Sequence, residues 1–316
     1  MKILLTGATG FVGQHIFKAI DKKFATVVLG RKRSNDYLGE FIEYDLKNTP
    51  DEGLNLQGID VVIHSAARAH IMHDASLDPQ AEYLLVNTEA TLTLAKSAAE
   101  SGVKRFIFIS SIKVNGESTS GRMPFTSSDQ PCTSDHYGQS KLEAENRLKD
   151  LAAKTGLEVV IIRPTLVYGL GVKANFASLI KLISKGMPLP FGCITKNKRS
   201  LVSVDNLVDL IITCIDHPKA ANQVFLVSDD HDVSTSEMVR ELAIALEKPT
   251  WQLPVPIWCY KLFGKLFGKS DIVDRLTGSL QVDISHTKEA LGWKPPQTLQ
   301  EGFKQTAQAF LQAKTK

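Results

Sequence analysis

The sequence predicts an α/β fold: a doubly wound parallel sheet with a smaller C-terminal lobe. Three observations carry this. Short apolar runs alternate with helix-length segments through the first half, as strand–helix–strand units do when helices cover both faces of a sheet. The first run, Ile3-Leu4-Leu5, ends in a glycine-rich turn, Thr6-Gly7-Ala8-Thr9-Gly10-Phe11-Val12-Gly13, that feeds an amphipathic stretch. After Pro164 the alternation loosens into chain punctuated by glycine and proline.

In order, strands are expected at 2–6, 26–29, 41–44, 60–64, 105–109 and 158–163, each a short apolar run. Helices are expected at 12–21, 79–101 and 136–155. Ser134 and Asp135 offer capping groups to the last of these. Two later strand candidates, 201–204 and 224–227, read as segments returning to the main sheet. The expected division is therefore a sheet domain over 1–165 with returning segments near 200–227. The substrate-binding lobe is then 166–199 and 228–316.

Bulk properties exclude several classes. A chain of 316 residues buries a sizeable core, and a net charge of +3 is too small to argue for nucleic acid. No run is long enough to span a membrane, and the N-terminal apolar run stops too soon for a signal peptide. Cys132, Cys193, Cys214 and Cys259 lie far apart, which reads as reduced, mostly buried thiols of a cytoplasmic protein. His64, His70 and His73 lack a carboxylate at ligand spacing, so no metal is expected. Residues 257–269, IWCYKLFGKLFGK, mix aromatics with lysines. They read as a helix packed on its own protein or a partner subunit, in preference to an interfacial membrane helix.

The glycine turn has the spacing that cradles a dinucleotide in a Rossmann-type sheet. Gly7 permits the tight turn, Gly10 leaves room for a pyrophosphate, and Gly13 lets the following helix pack close to the sheet. Tyr137 and Lys141 lie four positions apart and share a helix face. An ammonium beside a phenol favours the phenolate, which suits proton transfer near neutral pH. The run 105–109 ends in Ser110-Ser111, hydroxyls at a strand's carboxyl end where ligands of such sheets bind.

With these pieces in order, the chain resembles the extended short-chain dehydrogenase/reductases, in their nucleotide-sugar epimerase, dehydratase and reductase branch. The matching stretches are TGATGFVG (6–13), YDL (44–46), VIHSAA (62–67), VNTEAT (86–91), FISSIKVNG (108–116), YGQSK (137–141), RPTLVYGLG (163–171), RSLVSVDNL (199–207) and LGW (291–293). The resemblance implies Ser111, Tyr137 and Lys141 as the catalytic set, with hydride exchanged at a sugar carbon, most often C4. It implies dinucleotide contacts from Gly7, Thr9, Gly10, Phe11, Val12, Gly13, Asp45, Leu46, Ala66, Ala67, Asn87 and Pro164, besides Tyr137 and Lys141. Asn175 and Arg199 would meet the diphosphate of a UDP-sugar, and a guanidinium suits bidentate phosphate recognition. A homodimer across helices 79–101 and 136–155 is implied as well.

Two departures adjust this reading. Where NAD-dependent 4-epimerases of the family end the second strand in aspartate, this chain has Gly30-Arg31-Lys32-Arg33. A carboxylate repels a 2′-phosphate, whereas arginines accept it, so NADP is expected over NAD, with Arg31 and Arg33 as contacts. After the catalytic serine stands Lys113-Val114-Asn115-Gly116, where many 4-epimerases carry an aromatic. The first departure favours an NADPH-dependent reductase, and the second argues against carrying over an epimerase activity directly. SSIKVNG (110–116) with ARAHIMHD (67–74) resembles proteins of bacterial surface-polysaccharide pathways, which implies reduction of a UDP-4-keto-6-deoxy-hexosamine. The alternatives are a UDP-hexose 4-epimerase with tightly held NAD and a non-catalytic dinucleotide sensor. Ser111 is followed by Ile112 rather than an Asp-Glu pair, which argues against a dehydratase.

Overall fold

A computed structural model describes residues 1–34, 37–47, 54–69, 78–172 and 174–314. The chain opens with β1 (Lys2–Thr6), α1 (Phe11–Ile20), β2 (Ala25–Gly30), β3 (Glu40–Glu43) and β4 (Val61–His64). Helices α2 (Pro79–Leu84) and α3 (Ala90–Glu100) follow, joined by a π-helical turn at Leu85–Glu89. Then come β5 (Arg105–Ile109), α4 (His136–Thr155) and β6 (Glu158–Pro164).

The second half runs through β7 (Leu166–Tyr168), α5 (Ala174–Ile183), β8 (Arg199–Ser203), α6 (Val204–Asp216), β9 (Gln223–Val227) and β10 (Asp232–Val233). It ends in five helices: α7 (Thr235–Ala245), α8 (Ile257–Leu266), α9 (Ser270–Thr277), α10 (Ser285–Leu291) and α11 (Leu299–Lys314).

Seven strands form one wholly parallel sheet in the order β3-β2-β1-β4-β5-β6-β9. The chain leaves β1 for β2 on one side and returns to β4 on the other, which makes the β1/β4 gap the topological switch point. Alternation along each strand divides the core. Ile3, Leu5, Ile107 and Ile162 face α1 and α6, while Leu4, Phe106, Phe108 and Ile161 face α3 and α4. Burial on both faces is why the central strands read as continuous apolar runs.

One strand expectation is corrected. Residues 223–227 do join the main sheet beside β6, but 199–203 do not. They form the middle strand of a separate three-stranded sheet, β10-β8-β7, and Val204 already starts α6. Ser203 caps that helix by accepting the Asn206 N–H at 3.1 Å, so the chain turns away where the sequence suggested it would continue. A third core, built on Tyr168, Phe176, Leu242 and Phe303, packs the lobe.

The thiols are also less buried than expected. Cys214 is buried, Cys193 and Cys259 are intermediate, and Cys132 is exposed. Among the described residues, no helix is long and apolar enough to cross a membrane.

The tightest packing lies in the first turn. Gly7 has φ +73°, and a Cβ there would sit 2.6 Å from the Ala66 nitrogen at the end of β4. A Cβ on Gly13 would sit 2.0 Å from the Gly7 carbonyl oxygen. Gly13→Ala is therefore expected to destabilise the protein by about 1–3 kcal/mol, the cost of overpacking. A lowered urea midpoint tests this, and an unchanged midpoint would show that the turn relaxes freely.

Candidate active site

Because the main sheet is parallel, its strand ends gather the sequence candidates on one rim. The glycine turn leaves β1, Gly30 ends β2 ahead of Arg31, and Asp45-Leu46 follow β3. Ala66-Ala67 follow β4, Ser110-Ser111 follow β5, and Pro164 closes β6. Helix α1 starts at Gly10 with no side chain capping its first turn and no acid in that turn. Its N-terminal amides and dipole therefore face a glycine-lined cradle that suits a pyrophosphate. Gly7, Gly10 and Gly13 shape this turn, Thr9 lies within it, and Phe11 and Val12 open α1 and pack against the core. Asp45 accepts the Lys47 amide at 3.0 Å in a turn of its own, and Leu46 packs on the core beneath.

Helix α4 brings Tyr137 and Lys141 to this rim. Asp135 caps it, accepting the Gly138 N–H at 2.6 Å, and forms an ion pair with Lys113, so the loop after Ser111 anchors the helix start. Tyr137 is hydrogen-bonded to Ser111, which places phenol and hydroxyl side by side at the carboxyl end of β5. Lys141 is almost wholly buried; its Nζ donates to the Ile109 carbonyl at 2.8 Å and lies 4.3 Å from the Phe108 ring centroid.

The expected depression of the tyrosine is not found in the chain alone. Burial dominates and pushes the Tyr137 phenol up to about 12, against a smaller lowering by Ser111. Burial also brings Lys141 down to about 7, with Glu145 opposing the shift. The ammonium is committed to the strand end, so it does less for the phenolate than their spacing on the helix suggests.

A buried polar network supports the pair, and sequence reasoning missed it. Glu145, one turn beyond Lys141, accepts from Ser110 Oγ at 2.5 Å and from Arg163 Nε at 2.9 Å and Nη2 at 2.5 Å. Arg163 Nη1 donates to Asn115 Oδ1 at 2.9 Å, and Asn115 Nδ2 donates to the Thr126 carbonyl at 2.8 Å. The available signals were Glu145 spaced i+4 from Lys141 and an arginine inside the apolar run of β6. The same bonds explain Asn115 in the departure after Ser111: it is a buried structural link.

His64 closes the other side of the rim. Thr91 Oγ1 spends its only proton on the Asn87 carbonyl, 2.8 Å away, so it accepts from His64 Nε2 at 2.9 Å. His64 Nδ1 then accepts from Thr6 Oγ1 at 2.7 Å. Both ring nitrogens are engaged, and burial lowers the imidazole to about 3. His70 and His73, named with it in the metal argument, lie outside the described residues.

The remaining candidates divide. Asn87, in the π-helical turn, accepts the Arg68 amide at 2.8 Å and donates to the Arg68 carbonyl at 3.1 Å and to Ser140 Oγ at 3.0 Å. It clamps the loop after β4 to α4, a role the resemblance did not supply. Arg33 donates to the Gly39 carbonyl at 2.6 Å and packs over Tyr37 and Phe41, while Arg31 is exposed. Arg199 lies in the lobe sheet, where its Nη1 donates to the Arg275 carbonyl at 2.7 Å. Burial, ahead of the neighbouring Arg275 charge, holds its guanidinium below the usual value. The Asn175 side chain lies outside the described residues.

His64 makes a pH prediction. Its ring binds a proton near 6.5 when unfolded but only near 3 when folded, so the unfolded state takes up more protons between these values. The contribution of neutral His64 is full above the unfolded value and is lost as pH falls from 6.5 towards 3. Urea midpoints should therefore fall more steeply over this range in the wild type than in His64→Gln. Parallel slopes would refute the assignment.

Residues 3–228 match the NAD dependent epimerase/dehydratase family. The chain is 68% identical over 314 residues to a UDP-glucose 4-epimerase of Vibrio cholerae, covering 98% of this chain and 96% of that protein. It is 28% identical over 333 residues to an N-acetyl-alpha-D-glucosaminyl-diphospho-ditrans,octacis-undecaprenol 4-epimerase of Escherichia coli O157:H7, covering 99% and 96%. In fold it resembles the Bacillus cereus UDP-glucuronic acid 4-epimerase solved with NAD, at TM-score 0.77, 21% identity and 99% coverage of each chain. The Thermotoga maritima UDP-glucose 4-epimerase solved with UDP-glucose gives TM-score 0.76 and 22% identity, with 99% of each chain covered. The chain belongs to the NAD-dependent epimerase/dehydratase family, among the extended short-chain dehydrogenase/reductases that modify nucleotide sugars.

Proposed function

We propose that the protein epimerises C4 of a UDP-hexose. The observation that carries this is the Ser111–Tyr137 hydrogen bond at the end of β5, on the same rim as the glycine cradle. The Vibrio cholerae relative supports epimerisation over the net reduction that the basic loop suggested. Gly7, Gly10, Gly13 and the first turn of α1 would hold the pyrophosphate, and Lys141 the nicotinamide ribose. A bound dinucleotide would supply the acceptor and donor for the hydride exchanged at C4.

Ser111 orients the O4 oxygen. Tyr137 removes the O4 proton as C4 becomes a ketone, and returns it when the carbon is reduced from its other face. The raised phenol sets a demand: the buried site must gain positive charge before Tyr137 acts as a base near neutral pH. Asn175 and Arg199 are retained as candidate contacts to the UDP diphosphate.

The test is UDP-glucose incubated with the purified protein and no added cofactor. Formation of UDP-galactose, with a dinucleotide retained through purification, is expected. The second reading, reduction of a UDP-4-keto-6-deoxy-hexosamine, is favoured by Gly30 and Arg31; stoichiometric NADPH oxidation on that substrate without epimerisation would establish it instead. Tyr137→Phe should lower kcat by about 10²–10⁴-fold, the range for loss of a general acid–base. Unchanged biological function in that variant would favour the sensor reading.

Arg31 bears on which dinucleotide binds. No carboxylate stands at position 30, Arg33 spends one donor on the Gly39 carbonyl, and Arg31 stands exposed directly after β2, which makes it the first candidate cation for a 2′-phosphate. Arg31→Ala should weaken NADP binding by about tenfold or more, the worth of a charge-assisted hydrogen bond, and leave NAD binding nearly unchanged. Equal losses, measured by titration of the protein stripped of its nucleotide, would remove Arg31 from the site.

A further inference from the structure

Helix α8 is apolar on two faces. One face is turned inward: Ile257 and Tyr260 pack on the lobe core, and Gly264 is buried against Val273 of α9, whose Cγ2 would lie 2.7 Å from a Cβ on that glycine. The other face is open. Trp258, Leu262 and Leu266 recur every fourth residue on one ridge, with exposures of 65%, 52% and 72%. Phe263 and Phe267, exposed by 58% and 67%, stack on each other along the next ridge. Of the expected packing on its own protein or a partner subunit, the inner face shows the first.

Charge follows the same geometry. Lys261 and Lys265 are exposed one turn apart, on a ridge beside the one that carries Trp258, and Lys269 is exposed just past the helix, where it starts α9. Between Glu247 and Asp271 the chain has no acidic residue, while Lys248 adds a fourth cation. Asp271 and Asp274 of the neighbouring α9 are exposed too, but the α8 surface itself carries only cations beside its large apolar side chains, the composition of a surface that lies in a bilayer's headgroup region. Trp and Phe enter the boundary there while the lysine heads stay at the phosphates. A second copy in antiparallel two-fold contact suits the face less well, because that symmetry sets the lysine ridge against its own copy.

We propose that the outer face of α8 docks the protein peripherally on an anionic lipid bilayer. The docking is independent of the sugar chemistry, since α8 contributes no residue to the strand-end rim. Attraction of the three lysines acts over a Debye length, and burial of the aromatic ridges supplies the salt-resistant part.

The experiment is co-sedimentation of the full chain with vesicles of phosphatidylcholine alone and of phosphatidylcholine mixed with phosphatidylglycerol. The wild type should pellet with the mixed vesicles and remain in the supernatant with the neutral ones, and binding should weaken as salt rises. Lys261→Glu combined with Lys265→Glu should reduce partitioning by about tenfold or more. Trp258→Ser with Phe263→Ser should reduce it as well, and both variants should keep the wild-type turnover on soluble nucleotide sugar. Absence of binding to the mixed vesicles, or equal binding to both kinds, would overturn the proposal. So would a wild-type dimer in light scattering that these same substitutions convert to monomer, which would assign the face to a second copy. Turnover on a UDP-sugar tests the proposed reaction separately, so the two readings fail independently.

Discussion

The active rim depends on one buried polar seam between α4 and the ends of β5 and β6. Lys141 donates to the Ile109 carbonyl, and Glu145 gathers Ser110 and Arg163. Charges taken this far from water are tolerated only when paired and hydrogen-bonded, so the seam has little freedom to slide. A shift of α4 by one residue would strand the Glu145 carboxylate or the Arg163 guanidinium in the core. The phenol of Tyr137 is therefore located by ion pairs deeper in the protein as much as by its own bond to Ser111. Asp135, shared between the helix start and Lys113, fixes the other end of the same lever.

On the opposite side of the rim, close approach replaces charge. Gly7 meets the chain after β4, and Gly13 meets Gly7 itself, so any side chain would wedge α1 away from the sheet. His64 joins the two halves: it bonds Thr6 at the end of β1 and Thr91 in α3, and stacks on Phe108, over which the Lys141 ammonium also lies. Its neutrality follows from that position. A protonated imidazole there would be buried close to a second cation. The glycine turn and the Ser111–Tyr137 pair thus share one set of supports.

Much of this was legible in the sequence. The strands were recognisable because burial on both faces leaves little room for polar residues. The α4 boundaries could be read because Asp135 is a capping residue and Gly156 terminates the helix in the left-handed region at φ +78°. The return of 223–227 to the main sheet was legible too. The placement of 199–203 was not, since an apolar run does not say which sheet will bury it. Asn87 reads as a ligand contact by the resemblance alone; its bonds to Arg68 and Ser140, which make it a clamp, come from chain distant in sequence. Arg33 reads as a phosphate contact and is instead spent largely on its own loop.

The sequence by itself determined the nucleotide-binding sheet and the glycine turn, and it put Ser111 at a strand end and Tyr137 with Lys141 on one helix face. Those rest on local rules: periodicity, turn sterics and helix spacing. Only the tertiary structure decided how these groups are charged and held. Their pKa values depend on burial and on partners distant in the chain, such as Arg163 and Asn115, that no local pattern announces. The two-faced character of α8 was equally a matter of packing. Its sequence shows aromatics and lysines together, but which ridge stays open depends on where Val273 meets Gly264.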